Sequence, residues 1–329
     1  MPSLDIEVQH DTLQLISPIR IAGYVFETWD RVHVTLRDGA HAGEGEGAGV
    51  YFLGETGEQM HAAIERVKSQ IRAAPDRETL RSILPPGGAR NAVDCAMWAL
   101  EAARSGREVW QLAGQGTPRP LMTTFTLSAG DPDDMAMAAA GLADARAIKV
   151  KLTGDLDLDI QRVKAIRAVR PDVWLGVDGN QGFVRSQLDA LIPALVDQEV
   201  ALLEQPLARG HDPELEDLAS PIPLAGDESI LSLEDVRSAQ GRFHIINIKL
   251  DKCGGLTEGL MMAAEARRLG LGVMVGTMIC TSLGTAPGFV LGQSCDIVDL
   301  DGSTFLARDR SPSVTYRDGT VFADRSVWA

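Results

Sequence analysis

Five charged residues close five successive apolar runs at near-constant spacing. They are Lys151, Asp178, Glu204, Asp227 and Lys249, separated by 27, 26, 23 and 22 residues. One strand, one helix and two short connections use roughly 25 residues. The spacing therefore sets each charge at the same point of consecutive βα units. In a (β/α) barrel that point is the rim where active sites are built. Three acids in a row can hold a divalent cation, and a lysine stands on either side of them.

The chain has 329 residues, too many for one ordinary domain, which predicts a barrel plus a second unit. Apolar runs recur at 121–127, 148–152, 173–177, 200–203, 222–225, 245–250, 271–275 and 297–300, with helical stretches such as 160–169, 187–196 and 256–269 between them. This alternation argues for a parallel sheet, and eight repeats argue for closure. The predicted fold is α/β: a modified (β/α)8 TIM-type barrel over 119–305, with an α+β capping domain over 1–118 that 306–329 completes. In the first unit, 4–8 and 32–36 alternate like antiparallel strands, and helical patterns cover 57–73, 77–84 and 89–105. The run Gly43-Glu44-Gly45-Glu46-Gly47-Ala48-Gly49 lacks the βαβ setting of a dinucleotide fingerprint. It reads as a mobile loop closing over the barrel mouth.

Bulk properties narrow the partners. A net charge of −15 and a pI near 4.8 argue against nucleic acid. No 18-residue apolar span appears, and the acidic N-terminal stretch lacks the apolar core of a signal peptide, so no membrane is expected. Cys95, Cys253, Cys280 and Cys295 lack paired metal spacing and read as reduced thiols of a cytoplasmic protein. A barrel of this size leaves room for a homo-oligomer.

The strand ends carry the chemistry. Lys149 and Lys151 share a strand face, and crowding plus desolvation favour a neutral amine fit for general-base work. A lone Lys-x-Lys is usually a solvated strand edge, and a lone acid after a strand is usually a helix cap. Three acids on consecutive strands would repel one another. A hard cation with oxygen ligands resolves this, and Mg²⁺ suits few carboxylates plus water and substrate oxygens. Strands two and six of an eight-stranded barrel lie opposite each other, so Lys151 and Lys249 face across the mouth. A cation at a substrate carboxylate stabilises the charge left when the α-proton departs. One lysine removes that proton from one face and the other returns it on the opposite face, which inverts the carbon. Asp299-Leu300-Asp301 sets two carboxylates on one face, away from the metal arc and with nothing basic close in sequence. That pair suits a substrate ammonium.

Several motifs carry a resemblance that spans nearly the whole chain: Ile148-Lys149-Val150-Lys151, Val177-Asp178-Gly179-Asn180, Leu203-Glu204-Gln205-Pro206-Leu207, Gly226-Asp227-Glu228-Ser229, and Ile248-Lys249 through Lys252-Cys253-Gly254-Gly255. The chain resembles the enolase superfamily, and within it the dipeptide epimerases of the muconate-lactonising subgroup. The resemblance implies Mg²⁺ on Asp178, Glu204 and Asp227, an acid/base pair in Lys151 and Lys249, and electrostatic support from Lys149. It implies a small dipeptide substrate, L-Ala-D/L-Glu or a related L-Ala-L-Xaa, inverted at its C-terminal residue. Asp299 and Asp301 would hold the ammonium, with Tyr24, Phe26, Thr126 and Met278 around the rest. The segment from Gly276 to Ser282 is similar to the L-Ala-D/L-Glu epimerases of murein peptide recycling. Those enzymes keep an arginine in the first capping loop for the glutamyl carboxylate. Here Arg20 precedes that place, which holds Tyr24 or Phe26, and aromatics there favour an apolar or wider range of residues. The alternatives are an N-acylamino-acid racemase or cycloisomerase of the same superfamily, or a non-catalytic peptide-binding barrel.

Overall fold

The computed structural model describes residues 4–328; the outermost positions of the expected capping unit, 1–3 and 329, lie outside the described residues. The chain opens with an antiparallel sheet of β1 (Asp5–Ile21), β2 (Tyr24–Asp38) and β3 (His41–Ala48). Helices α1 (Gly57–Arg72), α2 (Arg77–Ile83), α3 (Gly88–Ser105) and α4 (Val109–Leu112) follow. Start signals are local: Thr56 and Gln59 form a capping box on α1, and Asp76 caps α2.

The glycine-rich run is not a mobile loop. It is β3, paired in register with β2 from Ala42↔Arg37 to Ala48↔Arg31 and packed under α3. A Cβ on Gly43, Gly45 or Gly47 would collide with the backbone of α3 at Leu100 and Ala96, at Ala92, and at Gly88. The glycines let a helix lie directly on a strand, and the alternation that looks like flexibility is one strand face made bare for that contact.

The barrel follows. After β4 (Leu121–Met122) come eight parallel strands in chain order: β5 (Thr124–Leu127), β6 (Ala147–Lys151), β7 (Trp174–Asp178), β8 (Leu202–Glu204), β9 (Leu224–Gly226), β10 (Ile245–Lys249), β11 (Gly272–Gly276) and β12 (Ile297–Asp299). The apolar run at 121–127 therefore splits. Leu121–Met122 pairs outside the barrel with a C-terminal hairpin, β13 (Thr315–Arg317) and β14 (Thr320–Phe322). The hairpin's strand partner is thus β4, while Arg310 and Trp328 reach back to Glu44 of β3. Between barrel strands run α5 (Pro132–Gly141), α6 (Leu156–Val169), α7 (Arg185–Asp197), α8 (Leu233–Ser238), α9 (Leu250–Cys253), α10 (Leu256–Arg268) and α11 (Ser282–Gly292). Side chains close the seam between β12 and β5. Thr124 Oγ1 donates to Asp299, Leu300 N–H to Thr123 Oγ1 at 2.9 Å, and Thr126 N–H to Asp301 at 2.6 Å.

Strand alternation layers the barrel interior. Leu202, Ala225 and Met274, with Trp174, Ile245 and Ile297 against them, form an apolar cluster below the functional residues. Two positions further along four of these strands or just past their ends, a polar layer begins: Glu204, Asp227, Asn247 and Asp299. The capping unit is bolted through α3 to the segment that follows β10. Arg90 donates to Gly254 O at 3.2 Å and to Glu258, and Asn91 donates to Asp251 at 2.7 Å. Asp251 also accepts Ala48 N–H at 2.8 Å. Among the described residues, no helix is long and apolar enough to cross a membrane.

Gly45→Ala should cost about 1–3 kcal/mol of stability by overpacking the α3–β3 contact. Gly141→Ala, where nothing lies within 4 Å of the added carbon, should be neutral or slightly stabilising. Urea titrations of both variants check the contrast.

Candidate active site

Five charges predicted at the strand ends meet in one buried cluster. Asp178, Glu204 and Asp227 are almost fully buried, and one oxygen from each lies within 4.8 Å of the others. Lys151 donates to Asp178 at 2.7 Å and Lys249 to Asp227 at 2.7 Å. Both lysines line a single cavity, together with Thr126, Met278, Asp299 and Asp301. Lys249 has its room because residue 276 is glycine: a Cβ there would sit 3.2 Å from Lys249 Cε and 2.9 Å from Asn247 Oδ1.

Lys149 departs from the expected picture. Two crowded ammonium groups were expected to favour a neutral amine. Instead Lys149 stands 2.7 Å from Glu204, 2.8 Å from Asp299 and 3.1 Å from Asp178. Burial works against its charge, but the Asp299, Glu204 and Asp178 carboxylates outweigh that and hold it well above the ordinary lysine range. The aspartate pair is likewise not separate from the metal arc. Asp299 is tied to it through Lys149, a residue 150 positions away in sequence. Asp301 is the freer partner. Burial and then the Asp299 charge push its carboxyl upward.

Sequence reasoning missed several members of the cluster. Lys252 is wholly buried and pairs with Asp227 at 2.5 Å. Glu228 is buried beside Asn180, whose amide donates to it at 3.2 Å. Asn247 donates to Glu204 at 2.8 Å. Gln205 accepts Asp227 N–H at 3.0 Å and donates to Leu207 O at 2.9 Å, which fixes the turn that carries Asp227. Asn180 and Gln205 both have positive φ, at 41° and 31°, a cost that structure concentrates at functional loops. The available signal was placement: each lies on a barrel strand or within three residues of a predicted site residue.

The charges do not balance. Counted as fully ionised, Asp178, Glu204, Asp227, Glu228, Asp299 and Asp301 face Lys149, Lys151, Lys249 and Lys252, so two formal negative charges remain. Against the cost of burial, Lys151 and Lys149 hold Asp178 low, and Lys249 and Lys252 hold Asp227 low. Burial and nearby acids push Glu204 and Glu228 up. Five buried side-chain atoms lack a hydrogen-bond partner among the described residues. Four of them are here: Asn180 Oδ1, Glu228 Oε2 and Asn247 Oδ1, together with Glu204 Oε2, which has only its ion pair with Lys149 at 2.7 Å. Unsatisfied buried oxygens of this kind are expensive. A surplus of two negative charges and orphaned oxygens fit one divalent cation on Asp178, Glu204 and Asp227.

The remaining predicted residues form the mouth. Phe26 lines the cavity with Ile19, Ile21, Trp29 and Tyr51. Tyr24 does not line it; Tyr24 stacks behind on Phe26, centroids 5.8 Å apart, and edge-on to Tyr51 at 4.9 Å. The β1–β2 hairpin that carries them slips register between Gln14 and Ile19, where Pro18 cannot donate to the ladder. Midway along the hairpin Leu15 bridges Leu306, past the last barrel strand, and nearer the turn Arg20 O accepts Ala129 N–H at 3.1 Å.

Lys149→Ala in protein stripped of divalent ions should lose about 3–5 kcal/mol, because three buried carboxylates lose their shared counter-charge. Added Mg²⁺ should restore part of that loss. Urea denaturation with and without the ion reads both effects.

The family described as "Enolase C-terminal domain-like" matches residues 134–322. The L-Ala-D/L-Glu epimerase of Escherichia coli K12 is 40% identical over 292 residues, covering 88% of this chain and 90% of its own. A solved enolase-family protein from Agrobacterium tumefaciens, with homology to dipeptide epimerases and bound to sodium and L-Ala-L-Glu, superposes with a TM-score of 0.94 at 35% identity, over 99% of this chain and 100% of its own. A dipeptide epimerase from Methylococcus capsulatus, solved with Mg and L-Arg-D-Lys, gives a TM-score of 0.89 at 29% identity, over 98% and 97% of the two chains. With a barrel, a capping unit and an acidic triad arranged in this way, the chain belongs to the enolase superfamily.

Proposed function

We propose that this protein is a dipeptide epimerase that inverts the α-carbon of the C-terminal residue of an L-Ala-L-Xaa peptide. The observation that carries the reading is the pair of lysines, Lys151 and Lys249, on strands two and six of the barrel and lining one cavity. Lys151 takes the α-proton from one face. Lys249 returns a proton on the other, and the reverse direction exchanges their roles. The Lys149 ammonium adds positive charge beside the reacting carboxylate. Asp301, with Asp299, receives the peptide ammonium. Asp178, Glu204 and Asp227 would hold a divalent cation, Mg²⁺ by the relatives' example, which would supply positive charge at the substrate carboxylate and free Lys151 and Lys249 from Asp178 and Asp227. The rings at the mouth exclude water while the carbanion exists. The names of the similar proteins support the dipeptide class, and four free thiols fit a cytoplasmic setting.

One observation favours a second reading. Asp299 already has a cation in Lys149 and a donor in Thr124, so an N-acylamino acid without an amine would leave it satisfied. Asp301→Asn separates the two. A dipeptide should lose about a hundredfold in kcat/KM, while an N-acyl substrate changes little.

In D₂O with Mg²⁺, dipeptides should take up α-deuterium and yield both epimers. Lys151→Ala or Lys249→Ala should each cut epimerisation by about 10³-fold or more, with exchange surviving from one epimer only. Mass spectrometry and chiral chromatography read the two effects. No deuterium uptake from any dipeptide would sink the reading.

A further inference from the structure

The proposed reaction uses three of the four substituents of the inverted carbon. Its carboxylate goes to the acidic triad, its amide runs toward Asp299 and Asp301, and its hydrogen lies between Lys151 and Lys249. The fourth substituent, the side chain, is left to face the wall built by the capping hairpin and the residues after β3. That wall is Ile19, Ile21, Phe26, Trp29 and Tyr51.

The wall is continuous and apolar. Phe26 lies 4.7 Å from Trp29 and 5.2 Å from Tyr51, and Tyr51 meets Trp29 at 5.9 Å, each ring tilted or edge-on to the next. Behind it Tyr24 stacks on Phe26, and Phe52 meets Tyr51 edge-on. Ile279, Met278 and Leu306 join the same cluster from the barrel side. Edge-to-face rings of this kind make a rigid apolar surface rather than an adaptable one.

Among the described residues that line this cavity, the only cations are Lys151 and Lys249, and both are engaged by Asp178 and Asp227. Arg20 sits between Ile19 and Ile21 in β1. Strand alternation turns it to the opposite face, where it is exposed. Arg209 is exposed at the rim, its guanidinium 5.8 Å above the Phe52 ring and outside the lining. A glutamyl carboxylate on the wall would lose its water without gaining a partner, and it would share the cavity with a surplus of acids. Both effects oppose it.

Resting on the dipeptide-epimerase reading, we infer that the inverted residue carries an apolar side chain, aliphatic or aromatic, and that glutamyl dipeptides are poor substrates. A part in murein peptide recycling, which calls for a glutamyl residue, therefore does not follow from the 40% identity with the Escherichia coli enzyme. The wall residues, not the overall likeness, decide.

The test measures kcat/KM and α-deuterium uptake with Mg²⁺ for L-Ala-L-Phe, L-Ala-L-Leu and L-Ala-L-Glu. The apolar dipeptides should exceed L-Ala-L-Glu by about a hundredfold or more. Phe26→Arg should gain about tenfold on L-Ala-L-Glu and lose on L-Ala-L-Phe. Tyr51→Arg, at another half-buried position of the cavity lining, should shift the same ratio in the same direction if the Phe26 variant does not fold. Turnover of L-Ala-L-Glu as fast as that of L-Ala-L-Phe overturns the inference while leaving the epimerase reading intact. Its loss in Arg20→Ala or Arg209→Ala would then name the arginine that folds over the wall. Absence of exchange from every dipeptide overturns the epimerase reading, and the inference falls with it.

Discussion

Six carboxylates and four ammonium groups share one nearly dry barrel mouth, and the rest of the molecule is arranged around keeping them there. Charges in such a place are tolerated only when each has a partner. Lys149 is the hub, because its ammonium touches acids from three strands at once. Lys252 and Asn247 anchor the far side through Asp227 and Glu204. Counted as fully ionised, the cluster still carries two negative charges too many, and three of its buried oxygens have no partner. Those deficits are what a cation and a substrate supply. The apolar layer beneath, with Leu202, Ala225 and Met274 at its centre, keeps water from relieving them from below.

The capping unit completes the site from above. Its contact with the barrel is polar and specific: Arg90, Asn91 and Asp94 on α3 grip the turn just after Lys249. Glu46, buried on the glycine-rich strand, accepts Thr281 N–H at 2.7 Å and pairs with Arg31 at 2.7 Å. One strand therefore fixes both the helix above it and the loop after β11 beside it. The hairpin wall inherits its position from this frame. A side-chain preference thus depends on residues far from the wall itself.

Much of the fold was legible because it is periodic. Eight apolar runs at even spacing have one compact solution, and each run's end fell where a barrel rim must be. The glycine-rich strand was misread because bare glycines look alike in a mobile loop and in a tight helix–strand contact; only the partner helix separates the two. The split at Thr123 was invisible for a similar reason. Both halves are apolar, and the break is made by hydrogen bonds to Leu300 and Gly319.

The sequence by itself determined the barrel, the order of the charged residues and the acidic set for a cation, because strand period and βα length tie position in the chain to position on the rim. Only the tertiary structure decided which charges neutralise which, and which face the hairpin turns inward. Lys149 meets Asp299 across 150 residues, and Arg20 turns outward while its neighbours Ile19 and Ile21 turn in. Electrostatic pairing and strand facing are set by distance in space, and no spacing along the chain encodes that distance.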